Sequence, residues 1–577
     1  MAIPLNIASP LSTGPALDPQ TDWWSDSFEV FRCCLLRTLL AYPGLPTKDG
    51  GATLHPDLAA QMPTISSDGL TWTFHLKKDI VYGPPFQDSR VVAADIIRAL
   101  EREATKSASY AFYYSIIEGF DARVRGEADS ISGLEAPDDF TLVVHLTHPA
   151  GDLGDLFAMP ATAPIPLGPS GSAGLGWAAG VHGYGRYLVA TGPYMIEGSQ
   201  DLDQSAPADD RAPISGYVPG RSLTLVRNPS WERETDPLRP AFVDRIEITM
   251  GFGIDKAVRM VRSGEADLYV FDAPAPQVPI DLVQRFLDHP ELGVGVHIET
   301  RDLVRYISIN LAIPPLDDLH VRKAISYAID RDALVNLRGG RIVGDTASHV
   351  VLNSLENNYL ATYDPYPTSL TDARTEMALS SYDDDHNGRC DHAACRGLLM
   401  LSAFGFFPEM HELAESVRRD LEGIGIDLRI ETVTVHRSNA VYDPRAKVPL
   451  AIYPAWQKDF LNASSWVAPL FSGEAIGSGN TSLVGATPAQ LSEWGYDVVS
   501  VPSIDDEIDK CMALVGDLQV RCWAEADQTL METVVPWVPY VFENKVLLVS
   551  DTVVAYAFDQ FAAQPALDRI ALSSDAA

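Results

Sequence analysis

Residues 398–430 read LLMLSAFGFFPEMHELAESVRRDLEGIGIDLRI, and the spacing of their apolar side chains decides the fold class. Leu398, Leu399, Met400 and Leu401 form a short apolar run with the length of a strand. Met410, Leu413, Val417 and Leu421 recur on one face of a helix. Gly423 and Gly425 stop that helix, and Ile426, Leu428 and Ile430 then alternate as a second strand. Strand, helix and strand in this order make a βαβ unit. The spacing predicts a mixed α/β protein with open sheets.

The same pattern continues upstream. Tyr306 to Asn310 reads as a strand that enters the turn Ile313-Pro314-Pro315-Leu316-Asp317. Asp317 or Asp318 is placed to cap a helix whose apolar face is Val321, Ala324, Ile325, Ala328 and Ile329. Nearer the start, the turn Ser66-Ser67-Asp68-Gly69 leads into the alternation Thr71 to Leu76, and Phe140 to Leu146 alternates in the same way. Ser89 opens a helix through Val92, Ile96, Ile97 and Leu100. Strands are expected near Leu223–Val226 and Arg245–Met250, with a short helix from Asp255 to Ser263. An amphipathic stretch runs from Ser27 to Ala41, and Pro164 to Gly185 reads as a long loop or crossover. No internal repeat is evident.

The chain has 577 residues, enough for about three or four domain-sized units or one large two-lobed fold. Hydrophobic residues make up 46% and charged residues 21%, which excludes disordered, collagen-like and coiled-coil classes. The 43 Lys and Arg against 78 Asp and Glu leave a net charge of −35. Such a surface repels phosphate backbones and anionic headgroups, so nucleic-acid and lipid-surface partners are disfavoured. No window approaches the 18 apolar residues or so of a membrane span. The first residues, MAIPLNIASPLSTG, lack the basic and apolar parts of an export signal. A cytosolic protein, or one whose signal is absent from this chain, satisfies that observation.

The cysteines weigh on this choice. Cys390 and Cys395, and Cys511 and Cys522, lack the spacing of zinc or thioredoxin-like sites, and two local disulfides in an oxidising compartment are expected. Cys33 and Cys34, in an apolar run, suit buried reduced thiols. Enzyme motifs are not completed. His411-Glu412-Leu413-Ala414-Glu415 begins as a helical zinc-protease motif, but Glu415 stands where the second imidazole must be. Gly251-Phe252-Gly253 lacks a third glycine, and no phosphate-binding loop or nucleophile elbow occurs.

An ordered set of motifs resembles the family 5 solute-binding proteins of ABC importers, the dipeptide and oligopeptide type. It runs from Leu36-Arg37-Thr38-Leu39-Leu40-Ala41-Tyr42 through Asp68-Gly69-Leu70-Thr71-Trp72-Thr73-Phe74-His75-Leu76 to Val91-Val92-Ala93-Ala94-Asp95-Ile96. Thr191-Gly192-Pro193-Tyr194, Arg227-Asn228-Pro229-Ser230-Trp231 and Gly264-Glu265-Ala266-Asp267 follow. Asn310-Leu311 and Val321-Arg322-Lys323-Ala324-Ile325-Ser326-Tyr327-Ala328-Ile329-Asp330-Arg331 complete it.

The resemblance implies a two-lobed periplasmic-binding-protein-like clamshell of type II, closing by hinge motion over its ligand. Residues 1–52, 185–298 and 538–577 would form the core of lobe I, 53–184 an extra subdomain of that lobe, and 299–537 lobe II. The implied role is an extracytoplasmic, non-enzymatic, monomeric subunit that delivers short peptides to a membrane permease. It would be lipid-anchored, if at all, through a segment absent from this chain. An oligosaccharide, a metal chelate or another non-peptide solute is the alternative within the class. A clamshell sensor or hydrolase is the alternative outside it.

The family's ligand segment maps onto Trp456-Gln457-Lys458-Asp459-Phe460-Leu461-Asn462. In peptide-binding members the acidic residue pairs with the ligand's α-ammonium, so the resemblance gives Asp459 that role and Trp456 a packing role; an ordinary exposed aspartate in a loop is the alternative for Asp459. This chain departs from the peptide-binder pattern after Asp459, and Lys458 stands beside it as a charge that would neutralise it. Asn480, after a glycine-rich run, lines the cleft or simply builds the loop. Arg37 sits where some peptide binders place an acidic contact; a ligand carboxylate, solvent and an interlobe position all suit it.

Asp383-Asp384-Asp385-His386-Asn387-Gly388-Arg389-Cys390-Asp391 has the alternating oxygens of a calcium loop. Calcium takes about six to eight oxygens at roughly 2.3–2.6 Å, with glycine at the sharp turn. Asp383, Asp385 and Asn387 would supply side-chain oxygens, Arg389 its carbonyl, and Asp391 a direct or water-bridged oxygen. The glutamate that would close a sensor loop is replaced by Ala394. A structural Ca²⁺ site or a metal-free acidic loop fits the sequence, and no catalytic cofactor is implied.

Overall fold

The computed structural model describes residues 4–8, 17–22, 24–105, 110–169, 174–179, 183–270, 278–404 and 409–573. The chain divides into two compact units, Met1–Glu299 with Val546–Ala577, and Thr300–Lys545. It passes between them inside two long strands, Val294–Ile309 and Trp537–Ser550. The sequence expectation put the crossings at 298/299 and 537/538; the second unit takes in the first half of the return strand as well.

In the first unit, the strand Pro4–Ala8 lies between two parallel partners, Arg245–Thr249 and Leu268–Tyr269. The helix Ile254–Ser263 connects those partners, so the start of the chain is inserted into a βαβ unit made much later. Ser222–Arg227 pairs antiparallel with Arg245–Thr249, and Tyr194–Ile196 with Ser222–Arg227. A separate four-stranded antiparallel sheet has the order Thr64–Ile65, Thr71–His75, Thr141–His145, Leu134–Asp138. Trp72 and Phe74 are buried on one face of the second strand while His75 is exposed, as the alternation requires. The helix expected from Ser89 begins at Ala93, because the preceding residues form a bridge between Val81 and Arg90.

The stretch Ser27 to Ala41 is not one amphipathic element. A short α-helix, Ser25–Glu29, passes into a π-helical turn, Val30–Leu35, and Leu40–Ala41 is a strand. The apolar period fails as a guide here because Val30 to Ala41 is buried on every side, leaving no exposed face to set a period. Cys33 and Cys34 in this turn are joined to each other rather than reduced. Cys390–Cys395 and Cys511–Cys522 pair as expected. Within Pro164–Gly185 the described residues carry only a single 3₁₀ turn, Gly176–Ala178, and the start of a second; 170–173 and 180–182 lie outside the described residues.

The second unit is built on the predicted βαβ unit. Leu398–Phe404 and Leu428–Thr434 pair parallel along their full length, and the helix Met410–Glu422 connects them. Leu450–Ala451 adds a parallel strand beside Leu398–Phe404 and is antiparallel to Ser308 and Ile309. The helix Leu319–Ala328 is capped by Asp318, whose side chain accepts the His320 N–H at 2.8 Å. Its predicted face, Val321, Ala324, Ile325, Ala328 and Ile329, is buried against Met400, Leu413 and Val417.

Candidate functional site

Most of the quoted motifs are fasteners, and their hydrogen bonds show why. Asn228 donates to the Gly192 carbonyl at 2.9 Å and accepts the Ser230 N–H at 3.0 Å. Gly192 packs so closely on the Cys34 carbonyl that a Cβ would collide with it. Asp267 accepts from the Asn6 N–H at 2.8 Å and the Thr552 hydroxyl at 2.6 Å, stitching the first strand to the end of the chain. Arg322 donates to the carbonyls of Val534 and Leu316, and Arg331 to that of Ala347. These residues hold the fold and leave the site to others.

The segment Trp456–Asn462 is fixed from both ends. Ala455–Gln457 pairs antiparallel with Leu303–Arg305. The Trp456 indole N–H donates to the Ser465 carbonyl at 3.1 Å, which sets its half-buried ring against the start of the helix Ser464–Phe471. Asn462 accepts the Ser464 N–H at 3.0 Å and donates to Gln519 at 3.0 Å. Ser465 binds the Phe460 carbonyl at 3.0 Å. Between these anchors Asp459 is half-buried, flanked by the buried Lys458 and Phe460. Lys458 meets a carboxylate from another strand. Its ammonium lies 3.0 Å from Asp302, with both side chains fully enclosed. Asp302 also accepts from Ser354 at 2.7 Å and sits at φ +52, a left-handed conformation that few non-glycine residues adopt.

Arg37 and Asn480 have surroundings that assign them to the interior. Arg37 is 1% exposed in the first unit. Its guanidinium meets Asp57 at 2.6 Å, the Asp57 carbonyl at 3.1 Å, and the Thr235 hydroxyl and carbonyl at 3.1 and 2.8 Å. Arg239 completes this cluster, 2.9 Å from Asp57 and 3.1 Å from Asp236. Burial alone would raise the Asp57 carboxyl, but the two arginines outweigh it and hold it below its ordinary value. Asn480 spends its amide on the Ser472 and Val484 carbonyls at 3.0 and 2.8 Å, and accepts the Ser482 N–H at 3.2 Å. It builds the loop, the second of its two sequence readings.

In the acidic loop, one oxygen each from Asp383, Asp385 and Asp391 lie within 4.8 Å of one another. Asp383 is buried and accepts the N–H groups of Gly388 at 2.7 Å and Asn387 at 3.2 Å. Gly388 adopts φ +82, and a Cβ there would also strike Arg374. The Arg389 side chain turns away to the carbonyls of Gly423 and Glu422, both at 2.9 Å.

Two features of the second unit escaped the sequence reading. Glu543 is enclosed by Arg305, Arg338 at 3.0 Å and Arg301 at 3.7 Å. Arg301 also donates to Gln457 at 2.9 Å, which joins this ionic cluster to the Trp456 segment. The available signal was that Arg301 and Arg305 stand four residues apart in one strand, Val294–Ile309, and cations that a strand buries demand an acidic partner. The second feature is a group of three buried residues, His349, Glu356 and Asp527. The small apolar cavity lined by Ile7, Leu17, Val30, Leu223 and Ile248 belongs to the interior of the first unit and touches none of the expected ligand residues.

Comparison with known proteins adds a second line of evidence. The family described as bacterial extracellular solute-binding proteins, family 5 (middle region), matches residues 53–478. The periplasmic oligopeptide-binding protein OppA of Escherichia coli (strain K12) is 25% identical over 287 residues, 49% of this chain and 46% of that protein. The chain therefore spans less than half the length of this relative. The glutathione-binding protein GsiB of Salmonella paratyphi A is 24% identical over 499 residues, 85% of this chain and 81% of that protein. Among solved structures, clavulanic acid biosynthesis oligopeptide binding protein 2 superposes with a TM-score of 0.78 at 22% identity, covering 99% of this chain and 95% of that one. Haemophilus influenzae OppA, in complex with RPPGFSPFR, gives 0.65 at 17% identity, covering 99% and 100%. These likenesses establish a shared mixed α/β fold. Among the described residues no helix is long and apolar enough to cross a membrane.

Proposed function

Because the chain belongs to the bacterial extracellular solute-binding proteins of family 5, we propose that it is the extracytoplasmic, non-enzymatic subunit of an ABC importer that captures short peptides for a membrane permease. Its two units act as the lobes of a clamshell, with residues 53–184 an added subdomain of the first, and it works as a monomer. The relatives named for oligopeptides and for glutathione support a peptide-like solute.

The observation that carries the reading is the anchored Trp456–Asn462 segment. The segment is held at both ends, and the ammonium of its Lys458 lies 3.0 Å from Asp302, a carboxylate on another strand. Asp459 then pairs with the ligand's α-ammonium and Trp456 packs against the chain that follows. An ammonium taken out of water requires such a partner.

Calorimetry with tri- to pentapeptides tests this. Asp459→Asn keeps the shape and removes the charge, and losing a buried charge pair costs roughly 2–5 kcal/mol, so affinity falls about 30- to several-thousand-fold. N-acetylated peptides bind the wild type poorly for the same reason. A change under threefold sinks the ammonium role and favours an oligosaccharide or other neutral solute. Turnover of the bound peptide would instead support the hydrolase reading.

The acidic loop holds a structural Ca²⁺ in this proposal, through Asp383, Asp385, Asn387, the Arg389 carbonyl and Asp391. The close approach of three carboxylate oxygens supports it. Calcium should raise the melting temperature of chelated protein, and Asp385→Ala should abolish the rise without changing peptide affinity. Identical melts with and without calcium would remove the site.

A further inference from the structure

His349, Glu356 and Asp527 are each 0% exposed, and one ligand atom from each lies within 4.8 Å of the others. Three segments bring them together, two close in sequence and the third far away: the residues after the strand Gly344–Thr346, the end of the turn Asn353–Leu355, and the helix Asp517–Thr529. Asp527 is well provided for. It faces His349 Nδ1 at 2.9 Å and accepts the N–H groups of Val350 and Val351 at 3.0 and 2.8 Å.

The other two residues are not. His349 Nε2 has no hydrogen-bond partner. Both carboxylate oxygens of Glu356 are buried without a donor. Asn353 Oδ1, between the two along the chain, is a further buried oxygen without one. The rings of Phe542 and Tyr363 stand beside the imidazole, at 5.4 and 6.3 Å between centroids, and Tyr363 gives its hydroxyl to Glu532 instead. Native interiors rarely leave so many acceptors unpaired in one place.

A divalent cation held among these side chains supplies the counter-charge that the Glu356 oxygens lack. Two carboxylates and a neutral imidazole carry a charge of −2, which a +2 ion cancels. One nitrogen and several oxygens match the borderline ligand preferences of zinc.

We propose that His349 Nδ1, Glu356 and Asp527 form a buried structural site for a divalent transition-metal ion, zinc in the first instance. Full enclosure leaves no position open to a substrate, so the ion fastens the three segments and performs no chemistry. The proposal lies within one unit and does not depend on the solute reading.

The full chain, unfolded in denaturant with chelator, is refolded with zinc chloride, desalted and analysed by plasma mass spectrometry. One tightly held zinc per chain is expected in the wild type. Glu356→Gln and His349→Gln should lose it, whereas Asp385→Ala in the surface loop should keep it. X-ray absorption of the wild type should show a nitrogen and oxygen shell at about 2.0–2.2 Å with imidazole scattering and no sulfur. Wild type that refolds without zinc overturns the proposal. So does a sulfur-containing shell, or zinc that is lost from Asp385→Ala and kept by Glu356→Gln.

Discussion

Glu543 and Glu356 lie in the same unit, both 0% exposed, yet their surroundings are opposite. Around Glu543 three guanidiniums converge. Burial would raise its carboxyl, but Arg305, Arg338 and Arg301 outweigh burial and hold the group well below the ordinary carboxylate range. Among the described residues no such cation pairs with Glu356, and burial together with the negative Asp527 pushes its carboxyl well above that range. Equal burial therefore says nothing about charge. The residues that face the group decide whether it fastens the fold as an anion or waits for a counter-ion.

The largest effect expected from breaking this contrast is at Glu543. Glu543→Gln keeps the shape but leaves three buried guanidiniums without their carboxylate, a loss of about 3–5 kcal/mol by urea unfolding. The same variant should flatten the acid side of the stability profile. A carboxyl held below its unfolded value of 4.5 contributes stability that is present above that pH and is lost as pH falls through the folded value. Wild type should therefore lose stability more steeply than Glu543→Gln below about pH 4.5. Equal slopes would show that the arginines are not what holds the charge.

How much of this was legible in the sequence depends on how local the cause is. The alternation Thr71 to His75, the Asp318 cap and the 398–430 unit are set by neighbours a few residues apart, and each appears as read. Glu543 could not be singled out, because Arg305 lies 238 positions away, Arg338 lies 205 away, and 78 acidic residues compete for the reading. His349 and Asp527 are 178 apart for the same reason. Arg37 illustrates the reverse case, in which a local motif left several readings open. Its place in a family motif suggested contact with a solute, whereas Asp57 and Thr235, distant in sequence, enclose it. The Trp456–Asp459 segment lies between these cases: the motif is local, but the partner that occupies Lys458 is Asp302, on another strand.

The smaller effect, and the sharper test of the contrast, is at Glu356. Without metal, burial beside Asp527 favours the uncharged acid, and glutamine is its neutral isostere. Glu356→Gln should then cost about 1 kcal/mol or less in chelated protein, since no ion pair is broken. Zinc should separate the two proteins again. Wild type gains through mass action, about 2.7 kcal/mol when free zinc is a hundredfold above the dissociation constant, while the variant has lost a ligand and should not respond. Urea unfolding of both proteins, with and without zinc, gives the four numbers required. A loss of about 3–5 kcal/mol already in the chelated variant would mean that Glu356 is an anion with a protein cation beside it, as Glu543 is, and the contrast between the two glutamates would collapse. A small loss that zinc then widens is the outcome expected from a carboxylate the fold has buried without a counter-charge of its own.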